Sequence, residues 1–196
     1  MKFLIAGLGN NSDEYANTRH NIGFRIADAL AGSVDSPFFV ERHALHSSFR
    51  LKGKSVHLIK PSTYMNLSGK AVKYWIDKLE VPLENLLVIV DDVAIPFGQL
   101  RIRGKGSDGS HNGLTSVHES LQTSNYTRLR FGIGSEYAKG HQVNYVLGRW
   151  TKEEEKLLPE KIKMACDAVK SFVTVGLERT MEHYNKISKQ KPTPEL

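Results

Sequence analysis

Residues 7–21 bring together two groups able to move a proton or hold a carbonyl: the amide of Asn10 and the imidazole of His20. A neutral imidazole is a base near neutral pH, and a carboxamide both donates and accepts hydrogen bonds. One histidine among eight is more often packed or solvated than catalytic. Asp91-Asp92, at the end of an apolar run, gives His20 a partner. A carboxylate there can fix one imidazole tautomer and leave the other ring nitrogen free as a base. On spacing alone the same pair is a turn or a helix cap. Two other loops offer amides: residues 61–69, with Tyr64, Met65 and Asn66, and residues 109–113, with His111 and Asn112. Each asparagine taken singly is a cap or turn residue. Ser68 and Ser110 are hydroxyls without a base at a recognisable spacing.

Arg101 and Arg103 alternate along a short strand pattern, so both face one side, and Arg128 and Arg130 do the same. Beside the glycine-rich residues 104–110 they form either a phosphate clamp or a solvated strand face. Gly7-x-Gly9 after a strand invites a dinucleotide reading, but the third glycine of that fingerprint is replaced by Ser12. Asp13 and Glu14 would repel a pyrophosphate. The glycines are then read as letting the chain turn tightly. His20, His111 and Asp91 could in principle form a two-histidine, one-carboxylate metal set. There is no HExxH and no Cys-x-x-Cys, and no metal or other cofactor is expected.

A chain of 196 residues with 40% hydrophobic residues fits one globular domain. The net charge of +6 fits a polyanionic partner without requiring one. No run reaches the length of a membrane span, and the apolar N-terminal residues are too few for a signal-peptide core. A single cysteine, Cys166, excludes an intramolecular disulfide and fits a reducing compartment. The expected location is cytoplasmic.

The elements that must position these residues alternate. Residues 3–8 read as a buried strand and residues 25–30 as part of a helix. Residues 47–51 and 55–59 form a hairpin around Gly53-Lys54. Ala71, Val72, Trp75, Ile76 and Leu79 mark a helical face. Residues 86–90 are a central strand, 100–103 a short one, 114–121 a helix and 128–134 a strand. Thr151-Lys152-Glu153-Glu154 is a capping box opening a long helix, continued by a segment around residues 176–187. The expected fold is α/β: one domain over residues 1–188, a twisted mixed β-sheet with helices on both sides, and a frayed tail at residues 189–196.

Taken jointly these motifs resemble the bacterial-type peptidyl-tRNA hydrolase family. The matching residues are Gly7-Leu8-Gly9-Asn10, Tyr15, Thr18-Arg19-His20-Asn21-x-Gly23-Phe24, Pro61-x-Thr63-Tyr64-Met65-Asn66-x-Ser68-Gly69, Asp91-Asp92, Pro96-x-Gly98, His111-Asn112-Gly113, Arg128-Leu129-Arg130-x-Gly132-Ile133-Gly134 and Val146-Leu147-Gly148. They run in order from about residue 2 to about residue 188. The resemblance implies hydrolysis of the ester between a peptide and the 3′-terminal ribose of tRNA, by a monomer without a cofactor. It implies His20 as base, Asp91 as its orienting partner, and Asn10, Asn66 and Asn112 as substrate-positioning groups. Tyr15, Tyr64, Met65 and His111 are implied in substrate or tRNA binding, with Tyr15 and Met65 as cleft walls. Arg103 and Arg130 are implied as the clamp for the tRNA 5′-phosphate, and residues 137–146 as a mobile gate. Three positions depart from the family pattern: Asn11-Ser12 replaces Pro-Gly, Ala94 an acidic residue and Ser110 a glycine.

Overall fold

Leu86–Asp92, the continuous apolar run, forms β5, an interior strand of a seven-stranded sheet. Buried on both faces, it needs no alternation of polar residues. The structure, a computed structural model, describes residues 1–189, so all but the first residue of the expected tail lies outside the described residues. The other strands are β1 (Lys2–Gly7), β2 (Phe39–Glu41), β3 (Ala44–Leu51), β4 (Lys54–Pro61), β6 (Leu100–Arg103) and β7 (Thr127–Gly132). Their order is β2-β3-β4-β1-β5-β7-β6. The central four, β4-β1-β5-β7, are parallel, and the outer pairings are antiparallel.

Helices cover both faces. On one side α1 (Ile22–Gly32) and α5 (Lys152–Val175) bury Ile22, Ile26, Leu30, Ile162, Val169 and Phe172 against Phe3, Ile5, Leu87 and Leu129. On the other, α2 (Ser68–Leu79) and α3 (Asn112–Leu121) bury Val72, Trp75, Leu114 and Val117 against Leu4, Ala6, Val88 and Val90. The alternation of Leu4 and Ile5 between the two cores is the period of two of a strand covered on both faces. A short α4 (Gln142–Val146) and α6 (Leu177–Ile187) complete the chain.

Three sequence readings are corrected. The hairpin turn sits at Lys52-Gly53, both at positive φ, the pairing a two-residue turn of twisted strands requires. The segment after α5 does not continue it, because Gly176 at φ 90 breaks the helix. Gly7 and Gly9 are not turn residues at positive φ. A Cβ on Gly7 would lie 2.2 Å from the Gly23 carbonyl oxygen, and one on Gly9 2.7 Å from the Phe24 ring. These glycines let the first turn of α1 lie directly on the end of β1, which brings residues 10 and 20 to the same edge of the sheet.

Candidate active site

The carboxyl ends of parallel strands are where ligands meet an α/β sheet. Here β1 delivers Asn10 just past its end and β5 delivers Asp91 near its own. His20 sits in a 3-10 turn, Arg19–Asn21, immediately before α1. Its Nδ1 lies 2.8 Å from Asp91 Oδ1. His111 Nε2 lies 2.9 Å from the same oxygen. All three side chains are largely buried, with 13% of His20, 3% of Asp91 and 8% of His111 exposed. Burial alone would lower the pKa of His20, but the charge of Asp91 and its hydrogen bond outweigh it, and the net direction is up. Asp91 goes the other way. Burial opposes its charge, yet the two histidines hold its carboxyl well below the usual carboxylate range.

His111 is also the N-cap of α3. Its Nδ1 accepts from the backbone N–H of Gly113 at 3.1 Å and Leu114 at 3.4 Å. An accepting Nδ1 places the ring proton on Nε2, so His111 donates to Asp91. This answers the metal question chemically. His111 could offer Nε2 to an ion only by losing that proton or surrendering the helix cap, so the cluster is built for hydrogen bonding. His20 correspondingly donates through Nδ1 and keeps the Nε2 lone pair free.

These groups line a cavity of about 650 Å³ with Asn10, Tyr64, Met65, Asn66, Asn112 and Arg130. Asn10 is held most firmly. Its Oδ1 accepts from the Met65 N–H at 2.7 Å, leaving its NH₂ to donate into the cavity. Asn66, Asn112 and Tyr64 are exposed on the rim. Met65 is buried and forms a wall. Tyr15 was expected as another wall, but it does not line this cavity; it stands in the 3-10 turn Asp13–Tyr15. Ser68 Oγ donates to the Met65 carbonyl as a buried capping bond and is unavailable as a nucleophile.

The arginines divide. By register Arg101 faces Arg130 and Arg103 faces Arg128 across β6 and β7, so all four share one side of the sheet. Arg101, Arg103, Lys105, Arg128 and Arg130 all line a second cavity of about 320 Å³. It meets the first at Asp92, Val93, Gly109 and Arg130. Arg130 pairs with Asp92 at 3.2 Å and donates to the Ser107 carbonyl. Arg128, expected as a clamp member, is 1% exposed. Both of its terminal nitrogens donate to backbone carbonyls, of Gly106, Ser107, Ser124 and Tyr126. It anchors the glycine-rich loop rather than offering charge to a ligand.

Two positions were missed as site residues. Asn21, 1% exposed, closes a two-way bond with the Asn10 backbone, accepting its N–H at 2.9 Å and donating to its carbonyl at 3.0 Å. Arg19 pairs with Glu154 at 2.8 Å and stacks 4.2 Å from the Tyr145 ring. It thereby ties the His20 turn to α4, whose Gln142, Val143 and Val146 border the cavity. Both stood inside a matched motif, but only a spatial partner reveals what each does.

The family model described as peptidyl-tRNA hydrolase matches residues 4–193. The peptidyl-tRNA hydrolase of Phocaeicola vulgatus is 52% identical over 186 residues, 95% of this chain and 100% of that protein. That of Cytophaga hutchinsonii is 53% identical over 185 residues, covering 94% and 98%. The crystal structure of peptidyl-tRNA hydrolase from Acinetobacter baumannii superposes with a TM-score of 0.88 at 32% identity, covering 94% of each chain.

Proposed function

The chain belongs to the peptidyl-tRNA hydrolase family, and we propose that His20 is the general base of its reaction. The enzyme hydrolyses the ester between peptide and tRNA, freeing the tRNA for further translation. In the proposed mechanism neutral His20 takes a proton through Nε2 from water as that water attacks the ester carbonyl. Asp91 stabilises the imidazolium that forms, and the water adds without an acyl-enzyme. The bond from His20 Nδ1 to Asp91 Oδ1 on the floor of an open cavity carries this reading.

Asn10 is the favoured donor to the developing oxyanion, because its NH₂ is pre-aimed by Met65 and Asn21 and spends little freedom in the transition state. Asn66, Asn112, Tyr64 and His111 border the ester and the acceptor end. Arg103 and Arg130, in the adjoining basic cavity, suit the tRNA 5′-phosphate. The protein works as a cytoplasmic monomer in this reading; no helix among the described residues is long and apolar enough to cross a membrane.

The test is hydrolysis of N-acetyl-aminoacyl-tRNA with a chelator present. General-base help is worth roughly 10²–10⁴-fold, so His20→Ala falls by that factor while tRNA binding persists. Turnover at the wild-type rate in that variant would overturn the assignment, and loss of wild-type activity on chelation would restore a metal.

A further inference from the structure

We propose that His111 is a positioning residue that shares Asp91 Oδ1 with His20 and so sets how tightly the carboxylate grips the base. This rests on the general-base reading of His20. Two N–H groups converge on one carboxylate oxygen, at 2.8 Å from His20 and 2.9 Å from His111. The His111 donor cannot turn away, because its Nδ1 is committed to the first N–H groups of α3. The helix terminus, the imidazole and the carboxylate form one chain ending at His20. A second donor spreads the negative charge of Asp91 and weakens its pull on the His20 proton. A base whose proton is held less tightly is unprotonated over more of the neutral range.

The other ionisable groups around His20 are already paired or peripheral. Asp92 on β5 is bound to Arg130 on β7, Arg19 in the catalytic turn is bound to Glu154 on α5, and Tyr64 lies exposed on the rim. None of them is hydrogen-bonded to Asp91, which leaves His111 as the second group that sets its charge.

Two substitutions separate the two ends of the His111 ring. Asn carries an acceptor where Nδ1 stands but ends short of Asp91, so His111→Asn keeps the cap and loses the donor. Gln carries an N–H where Nε2 stands, so His111→Gln keeps the donor and loses the cap. The experiment follows the His20 ring proton by NMR against pH in the full chain, alongside kcat and KM on N-acetyl-aminoacyl-tRNA. In His111→Asn the His20 midpoint rises by about half to one pH unit, and the acid limb of kcat/KM rises with it. In His111→Gln the midpoint stays near wild type while Tm falls. An unmoved midpoint in a folded His111→Asn would overturn the proposal. So would a rise in KM with the acid limb unchanged, which would make His111 a substrate contact. The base reading is judged separately: it fails if the wild-type acid limb does not coincide with the His20 midpoint, and the NMR shift reports on His111 either way.

Discussion

Replacing Asp91 with Asn removes one charge and almost no volume. Oδ1 of the new side chain can still accept from His20 and His111, so the hydrogen-bond geometry at 2.8 and 2.9 Å has no steric reason to change. What is lost is the charge that meets the imidazolium. A hydrogen bond to a charged group is worth about 1.5–3 kcal/mol, against about 1 for a neutral one. At 1.36 kcal/mol per decade the difference lowers kcat roughly 2–30-fold. Any population in which the new NH₂ turns toward His20 reverses the tautomer and lowers it further. The pH profile gives the sharper test. In the wild type Asp91 raises the His20 pKa above 6.5, and burial opposes it. Without the charge, burial outweighs the hydrogen bond that remains and the pKa falls, so the acid limb of kcat/KM moves to lower pH although the plateau is reduced. Steady-state hydrolysis of N-acetyl-aminoacyl-tRNA between pH 5 and 8 measures both. A reduced plateau with the limb unmoved or raised would refute the argument. So would a loss confined to KM.

Three further outcomes follow. Ser110 holds φ 60, a left-handed conformation that costs an L-residue about 1 kcal/mol; Ser110→Gly therefore raises stability to urea by about that amount, and an unchanged midpoint would show the strain to be absent. Ala94 is exposed in the basic cavity with Arg101, Arg103 and Lys105; Ala94→Glu should raise KM roughly 2–5-fold at low salt with kcat unchanged, an effect that shrinks as salt screens it, and a salt-independent change would point elsewhere. His57, hydrogen-bonded to His46, has its pKa lowered by burial from 6.5 to about 4; the unfolded chain binds a proton there that the folded one refuses, so stability is lost as pH falls from 6.5 to about 4. Urea unfolding of His57→Gln at pH 7 and pH 5 should show a smaller loss than wild type.

The parts legible in the sequence are those written in local pattern. The capping box at Thr151 forms as expected, with Glu154 N–H donating to Thr151 Oγ1 and the Glu154 carboxylate accepting the Thr151 N–H. The unbroken apolar run of β5 and the helical period of α2 were both open to reading. β2 was missed because three residues are too few to show alternation, and two of them, Phe39 and Val40, are exposed at the sheet edge. α4 was missed because its five residues include none that is buried. The separation of Arg128 from Arg130 was equally hidden. Same-side residues two apart look identical on paper, and only the depth at which β7 runs makes Arg128 a buried anchor for backbone carbonyls and leaves Arg130 partly exposed and paired with Asp92.

The departures from the family pattern bear on the same point. Asn11-Ser12 adjoins Asn10, yet the hold on the Asn10 side chain does not pass through them. Asn10 is gripped from behind by Asn21, through both backbone groups, and from the side by the Met65 N–H. Asn11 and Ser12 are exposed, and the Ser12 N–H merely adds a bond to the Asn10 carbonyl that Asn21 already engages. The Asn10 amide is therefore held by groups that lie outside that loop. Ser110 stands differently. Its strained backbone directly precedes His111, which caps α3 and touches Asp91. Of the departures in loops beside the His20–Asp91–His111 cluster, the serine is the one that directly precedes a residue bonded to the carboxylate, so under the proposed mechanism a change there reaches the base through His111.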